Sequence, residues 1–339
     1  MKRLTYIVFT VSFLLCSCQH GRQYFPGNVQ PADIPIVRFD KAVLNLETAT
    51  DSLSMRAAVE ELYQEFPEFM PFWVEEILGI PTEDTAYLCE VIPAFLNDTT
   101  YGFKTTNARC EELFADISDI QNELNAAFGR LRTFCTAEEP VLYFFISGFN
   151  RSLSGTPDDN IAVGVDMYLG SDYEYYNRVV YDYQKLTMRK ECIPVDVVSY
   201  FLFTHTPFTS DKSRLLENMI YRGKVMFVVS LLFPNETPWE VAGYTEEQWK
   251  WCVQNERAIW GLMMDKRDLY KTDPLVLTSY LNDGPFTSEI SQQSPGRLGM
   301  WVGWRIVESY MEHHPEVTIE ALLQDGDAQK ILEQSYYKP

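Results

Sequence analysis

Val141-Leu142-Tyr143-Phe144-Phe145-Ile146-Ser147-Gly148-Phe149 is an apolar, aromatic run, and Ile161-Ala162-Val163-Gly164-Val165-Asp166-Met167-Tyr168-Leu169 follows it after a Gly/Pro/Asp loop at 155–160. Runs of β-branched and aromatic residues bounded by turn formers read as strands. Two such runs across one short loop are expected to be neighbours, paired as a hairpin.

On either side the apolar spacing changes to three and four. Upstream, Leu53–Phe66 has helical spacing with Asp51 or Ser52 as its cap. Residues 109–132 place Leu113, Ile117, Ile120, Leu124, Phe128 and Leu131 on one face, which predicts one long helix. A short strand is expected at Ile34–Asp40. Downstream, helices are expected at Val195–Thr204, Ser213–Phe233, Thr245–Asp265, Pro274–Tyr280, Gly296–His313 and 318–334. Helices, then strands, then helices is the order of an α+β fold rather than an alternating βαβ one. The expectation is one predominantly helical domain with a small β-sheet, without internal repeat or linker.

The N-terminus carries its own message. Lys2 and Arg3 form a positive segment, Leu4–Leu15 an apolar one, and Ser17 is a small residue immediately before Cys18. The apolar stretch is about a dozen residues, short of the roughly 20 that span a bilayer. This is the layout of a lipobox, with residues 1–17 as signal peptide and Cys18 as the lipidated residue. Cys16 is the weaker site because bulky Leu15 precedes it. Several acyl chains at about 0.8 kcal/mol per buried methylene anchor a protein stably. Residues 18–33 lack periodicity and read as a flexible tether, with the domain at 34–339. The stretch Gln19-His20-Gly21 has no acidic cluster, which favours the periplasmic face of the outer membrane over the cell surface.

The chain has 48 acidic residues against 28 basic ones, and losing Lys2 and Arg3 with the signal lowers the formal charge from −20 to −22. Such a surface repels nucleic acid. With 46% hydrophobic and 14% aromatic residues, the acidity coats a real core. The body cysteines Cys89, Cys110, Cys135, Cys192 and Cys252 are widely spaced, with no C-x-x-C pair, and read as buried free thiols with room for one disulfide.

Few catalytic patterns survive inspection. Of the body histidines, His205, His313 and His314, none begins an H-E-x-x-H helix, and no nucleophile elbow, Walker loop or G-x-G-x-x-G turn is present. Each of these histidines ends a predicted helix, where an imidazole suits the negative terminus. No metal or cofactor is expected. Asp325-Gly326-Asp327 lacks the remaining ligands of a calcium loop and reads as a helix-terminal turn.

Two C-terminal constellations are less ordinary. One runs from Gly243-Tyr244-Thr245 through Trp249, Trp251, Asn255 and Glu256 to Trp260; the other is Ser294-Pro295-Gly296-Arg297-Leu298-Gly299-Met300-Trp301-Val302-Gly303-Trp304-Arg305, continuing to Tyr310. Gly299 and Gly303 share a helical face at a cost of about 1 kcal/mol each relative to alanine, so they point to a close neighbouring backbone. Trp301, Trp304 and Tyr310 either line a groove, with Arg297 or Arg305 binding a carboxylate, or fill a core with Arg305 paired to Glu256 or Glu308.

These segments, with the terminal Ser335-Tyr336-Tyr337-Lys338-Pro339, resemble the gliding-motility lipoprotein GldB family. Arg38-Phe39-Asp40, Ala162–Gly170 and Met219-Ile220-Tyr221-Arg222-Gly223-Lys224 extend the resemblance over most of the mature chain. The family in turn resembles zincin peptidases, whose H-E-x-x-H helix precedes a second helix with Glu-Gly as third ligand. Here 195–204 has no ligand pair, and Arg222 stands before Gly223; a guanidinium does not ligate zinc. The resemblance thus implies a zincin-like scaffold without its metal, a pseudoenzyme that supports gliding motility or an associated type IX secretion assembly by contacts with envelope proteins. Two alternatives are a residual metal-independent hydrolase using Glu256, His205 or Arg297, and a peptide or glycan binder with a stacking platform of Trp249, Trp251, Trp301 and Trp304.

Replacing Cys18 by Ser should abolish fatty-acid labelling and shift the protein from the membrane to the soluble fraction. Cys16→Ser should leave both unchanged, and persistent labelling of the Cys18 variant would move the lipid site elsewhere.

Overall fold

A computed structural model describes residues 24–49, 51–81, 84–208 and 210–339. The signal peptide, Cys18 and the first part of the expected tether lie outside these residues.

The sheet has the strands β1 (Ile36–Val37), β2 (Leu142–Phe145), β3 (Leu153–Gly155) and β4 (Ile161–Gly164) in the order β1-β2-β4-β3. β1 pairs with β2 in parallel, and β2 with β4 in parallel, Leu142 facing Ile161 and Phe145 facing Gly164. The expected hairpin between the two apolar runs is therefore corrected: they are neighbours, but they run the same way. The actual hairpin joins β3 to β4, with Leu153 opposite Val163. Both faces of the sheet are covered, which explains the unbroken apolar runs. Leu142, Phe144, Ile161 and Val163 enter the larger core, while Phe145 and Ala162 enter a smaller one built on Phe39, Phe69 and Trp73.

The smaller core belongs to the N-terminal helices: α1 (Phe39–Leu44), α2 (Ser52–Glu65), α3 (Phe69–Phe72) and α4 (Thr85–Leu96). Asp51 caps α2, accepting from the amides of Leu53 and Ser54 at 2.9 Å. The single helix expected at 109–132 is instead two, α5 (Phe103–Leu113) and α6 (Ser118–Leu131). Asp116 accepts the Ser118 amide at 2.9 Å, offering the backbone a local partner outside a helix. Periodicity continued across the break because buried Phe114 and Ile120 serve one core.

The start of the packed chain also differs from the expected boundary. Ala32 and Ile34 are buried, and the Ala32 amide donates to the Asn125 carbonyl at 2.8 Å. Tyr24 meets Phe227 edge-on and Phe25 stacks near Phe134. Residues 24–33, read as tether, lie against α6 and its neighbours.

The larger core holds α7 (Ile193–His205), α8 (Leu215–Leu232), α9 (Pro238–Ala242), α10 (Glu246–Asp265), α11 (Pro274–Leu281), α12 (Leu298–His313), α13 (Ile319–Gln324) and α14 (Ala328–Ser335). The last two replace the single helix expected at 318–334. The break is the Asp325–Asp327 turn, where Asp327 caps α14 by accepting the Lys330 amide at 3.0 Å. No helix among the described residues is long and apolar enough to cross a membrane.

At the centre α8 and α12 touch backbone to backbone. A Cβ on Gly303 would lie 1.9 Å from the Met219 carbonyl oxygen, and one on Gly223 would lie 2.2 Å from the Gly303 carbonyl carbon. Gly299 approaches the end of α11, its added Cβ meeting the Tyr280 carbonyl at 3.0 Å. The expected glycine face thus separates two neighbours, α8 at Gly303 and α11 at Gly299.

Gly303→Ala should lower the urea unfolding free energy by about 3 kcal/mol or more, since overpacking costs about 1–3 kcal/mol even where side chains can yield. Gly261→Ala, within α10 with nothing inside 4 Å of the added carbon, should raise it by about 0.5–1 kcal/mol. Equal effects would show that helix propensity, not the close crossing, governs both positions.

Candidate functional site

The first turn of α7, the end of α9 and the loop before α12 meet around an open cleft of about 320 Å³, which continues into a lobe of about 170 Å³. Ser152, Thr187, Asp196, Gly243, Asp283 and Arg297 line both parts. Leu153 of β3 forms part of the wall.

Arg297 is held by an unusual backbone. Its φ of 58° is left-handed, a costly region for a residue with a Cβ. Surrounding bonds impose it: Tyr244 Oη donates to the Gly296 carbonyl at 2.6 Å, the Thr287 hydroxyl to the Pro295 carbonyl at 2.9 Å, and the Leu298 amide to Thr287 Oγ1 at 3.3 Å. The guanidinium then reaches Asp283 Oδ1 at 2.9 Å from Nε, while Nη2 donates to the carbonyls of Ala242 and Gly243 at 3.1 and 3.2 Å. It thereby satisfies the open C-terminus of α9, whose Gly243 takes φ 64°.

Asp196 stands in an otherwise apolar helix turn, Ile193-Pro194-Val195-Asp196-Val197-Val198. Its Oδ2 accepts from Tyr168 Oη at 3.0 Å. No donor among the described residues reaches Oδ1. Burial pushes this carboxyl up to about 7, against the hydrogen bond from Tyr168 and the field of Arg297, with Asp283 adding to the rise. The helix N-terminus favours the carboxylate too, and desolvation still wins.

A second carboxyl pair lies on the same cleft. Glu240 closes the capping box of α9, accepting from the Thr237 hydroxyl at 2.7 Å, and that bond holds it below the usual range. Burial, followed by the hydrogen bond and charge of Glu240, raises its neighbour Glu236 to about 7. Cys192, also on the wall, is pushed up to about 12 by burial and by Asp196, so its thiol stays protonated.

The residues singled out from sequence do not assemble into one site. Arg297 is in the cleft. Trp301, Trp304 and Tyr310 are buried, with Trp249 5.5 Å from Trp304 between ring centres. The stacking platform is therefore corrected to core packing, because the apolar faces of α10 and α12 close on each other. Arg305 donates to Glu256 at 3.0 Å and pairs with Glu308, and Tyr337 Oη donates to Glu256 at 2.9 Å. Trp260 meets Tyr337 edge-on at 5.2 Å, and Asn255 Nδ2 donates back to the Trp251 carbonyl at 2.8 Å. These contacts fasten the C-terminal segment to α10 and α12.

His205 ends α7 as expected, its Nδ1 2.9 Å from the Phe201 carbonyl and its ring stacked on Phe201. It borders a different, more apolar groove with Leu202 and Leu323. Glu256, His205 and Arg297, the trio considered for hydrolysis, thus occupy three separate environments. His313 contacts the Ser309 carbonyl at 2.7 Å, again at a helix end. The five body cysteines are free. Arg222 donates to the Leu281 carbonyl at 2.9 Å, with its basicity lowered by burial and by Arg297. Among the described residues no group of three or more His, Cys, Asp or Glu is placed to hold a metal ion.

A family model described as gliding motility protein GldB matches residues 27–339. The chain belongs to the GldB family. It is accordingly a lipoprotein related to gliding motility, and the landmarks that carry the family pattern fall chiefly on its frame: Gly223 and Gly303 at the helix crossing, Glu256 and Arg305 at the C-terminal clasp. Arg297, Gly243 and Tyr168 join that frame to the cleft. No curated protein and no solved structure matches the chain.

Sequence reading missed Asp196, Tyr168, Asp283 and the Glu236–Glu240 pair. One clue was present, a lone aspartate on an apolar helix.

Asp196 makes a pH-dependent contribution. Its folded value of about 7 lies above the ordinary 3.8, so the stability it contributes is complete below pH 4 and is lost as pH rises through 7. Asp196→Asn, which keeps an acceptor for Tyr168, should match the parent near pH 4, melt progressively higher as pH rises from 4 to 7, and hold a constant advantage above that. The gain is bounded at about 4 kcal/mol and reduced by solvent in the open cleft. A constant offset across that range, read by thermal melts, would refute the assignment.

Proposed function

We propose that this family member is a non-catalytic lipoprotein, anchored through Cys18 at the periplasmic face of the outer membrane, that serves a gliding or associated type IX secretion assembly through protein contacts. The scaffold is read as zincin-like on the resemblance of its motifs. One observation carries the contact reading: the cleft opens beside β3, an edge strand of the sheet. Such an edge can pair with an extended segment, main-chain hydrogen bonds supplying affinity and the adjoining cleft supplying selectivity.

The wall chemistry favours binding over turnover. Its one thiol is held protonated, and among the described residues no histidine lines it to activate Ser152 or Ser199. Of its two arginines, Arg297 is committed to Asp283 and two carbonyls, and Arg189 donates to the Leu186 carbonyl. The dispersal of Glu256, His205 and Arg297 leaves the proposed residual hydrolase without an assembled centre.

Crosslinking in intact source cells, with a tagged chain lipidated at Cys18, tests the reading. Motility or secretion components should be recovered, and recovery should fall when Leu153→Pro removes an outward-facing amide from the free edge of β3. A chain that captures no envelope protein, or that hydrolyses peptide or ester substrates, would overturn it.

A further inference from the structure

The N-terminal chain leads past an apolar groove that is separate from the cleft. Tyr24 and Phe25, the first described residues, are pinned to the body: Phe25 stacks on Phe134 with 6.2 Å between ring centres, and Tyr24 meets Phe227 of α8 edge-on at 5.9 Å. Behind them Arg132 donates to the Pro31 carbonyl at 2.6 Å, and Gly129 lets the Gln30 carbonyl oxygen come within 2.4 Å of where a Cβ would stand. Phe134 is also a wall of the groove, an open space of about 480 Å³ between the loop after α6, the end of α7 and α13, lined further by Cys135, Ala137, Leu202, Pro207 and Leu323. Lys224, one turn before Phe227, donates to the Leu323 carbonyl at 3.1 Å and ties α13 to the helix that holds Tyr24. Cys18 stands six residues before Tyr24, a reach of at most about 20 Å.

We propose that this groove takes one acyl chain of the lipid on Cys18, clamping the body to its own anchor and fixing the face it turns to the membrane, while the remaining chains stay in the bilayer. This inference rests on the Cys18 anchor of the reading above and adds the place where that lipid docks. The groove is bordered by a loop and two helices, and no strand among the described residues reaches it. An extended peptide laid there would leave its amides and carbonyls without partners against apolar walls, a cost that hydrocarbon does not carry. A free fatty acid would bring its carboxylate to a wall that includes Glu320, in a chain already strongly acidic. An acyl chain held by an ester or amide brings no charge. Moving one chain from the bilayer to the groove exchanges one hydrocarbon surrounding for another, so proximity decides which lipid enters. The tether keeps the lipid of Cys18 within reach however the body is turned, whereas a phospholipid reaches the groove only after this face has docked.

The test uses the full chain from source cells grown with a diazirine-bearing palmitate, purified and reconstituted in phosphatidylcholine vesicles. Irradiation should join the acylated Cys18 peptide to residues 134–137, 202–207 or 320–324 at least about tenfold more often than to any other segment of the body. In Ala137→Glu, which places a carboxylate where the hydrocarbon lies, these adducts should fall by about tenfold or more, with Cys18 acylation unchanged and the melting temperature reporting a folded chain. A matching arm places the chain with its natural lipid in vesicles of diazirine-bearing phosphatidylcholine. Groove adducts confined to that arm assign the groove to bilayer lipid and overturn the proposal. An acylated Cys18 without groove adducts overturns it and leaves the lipoprotein reading standing, whereas a Cys18 without acyl chains overturns both. Groove adducts that persist undiminished in folded Ala137→Glu overturn the assignment to these walls.

Discussion

The backbone contact between Gly223 on α8 and Gly303 on α12 is the constraint from which much of the C-terminal half follows. Two helices that approach this closely leave no volume for a Cβ at either glycine, and packed interiors do not deform smoothly to create it. The crossing sets the rotation of both helices. On α12 it directs Trp301 and Trp304 into the core towards Trp249, and it leaves Arg305 to meet Glu256 and Tyr337. On α8 it places Arg222 against the end of α11, close enough to Arg297 to feel its charge. Glycine here trades helix propensity for proximity, and the cost of about 1 kcal/mol per residue is offset by the surface that the neighbours bury.

The cleft lies where three elements end. Helix termini expose unpaired backbone groups, and Arg297 answers those of α9 from a left-handed backbone position that only its surroundings make tenable. Asp196 and Glu236 line the same cleft as acids whose pKa is raised to about 7. The balance of forces differs between these groups and the rest of the acidic surface. Exposed carboxylates are solvated and screened, whereas Asp196 and Glu236 in the cleft have given up part of their hydration to neighbouring protein. A net charge of −20 therefore describes two populations, a solvated coat and a few half-buried groups whose ionisation the cleft disfavours.

The residues that make the chain recognisable as a family member are largely those that hold its shape. Glu256, Arg305 and Tyr337 join α10, α12 and the C-terminus through charge-assisted bonds, and Ser309 adds a hydroxyl bond to the Ser335 carbonyl at 2.8 Å. Such a partly buried network rewards geometry and penalises the loss of one partner more than it favours the pair itself. The same logic applies to Asp166, which accepts the amides of Ser147 and Phe149 at 2.7 Å each and the Ser147 hydroxyl at 3.0 Å. That buried carboxyl fixes the chain as it leaves β2 and so sets the path towards β3, the edge strand of the sheet.

Local chemistry was legible without coordinates. The segregation of helical and strand periods established an α+β chain, Thr245 and Asp51 marked helix starts, the glycine pair announced a close crossing, and the residues around Cys18 announced a lipoprotein. Strand direction was not legible, because a run buried on both faces has the same composition whichever way its neighbour points. The break between α5 and α6 was hidden for a related reason: one core receives side chains from both helices, so the apolar rhythm does not stop where the backbone does. The cleft was the least visible of all. Its members come from positions 152 to 297, and a carboxylate becomes unusual only when folding removes its water and supplies no cation. Sequence alone determined which segments seek burial; the tertiary structure decided which charges were carried along with them, because desolvation belongs to the assembled surroundings and not to the residue.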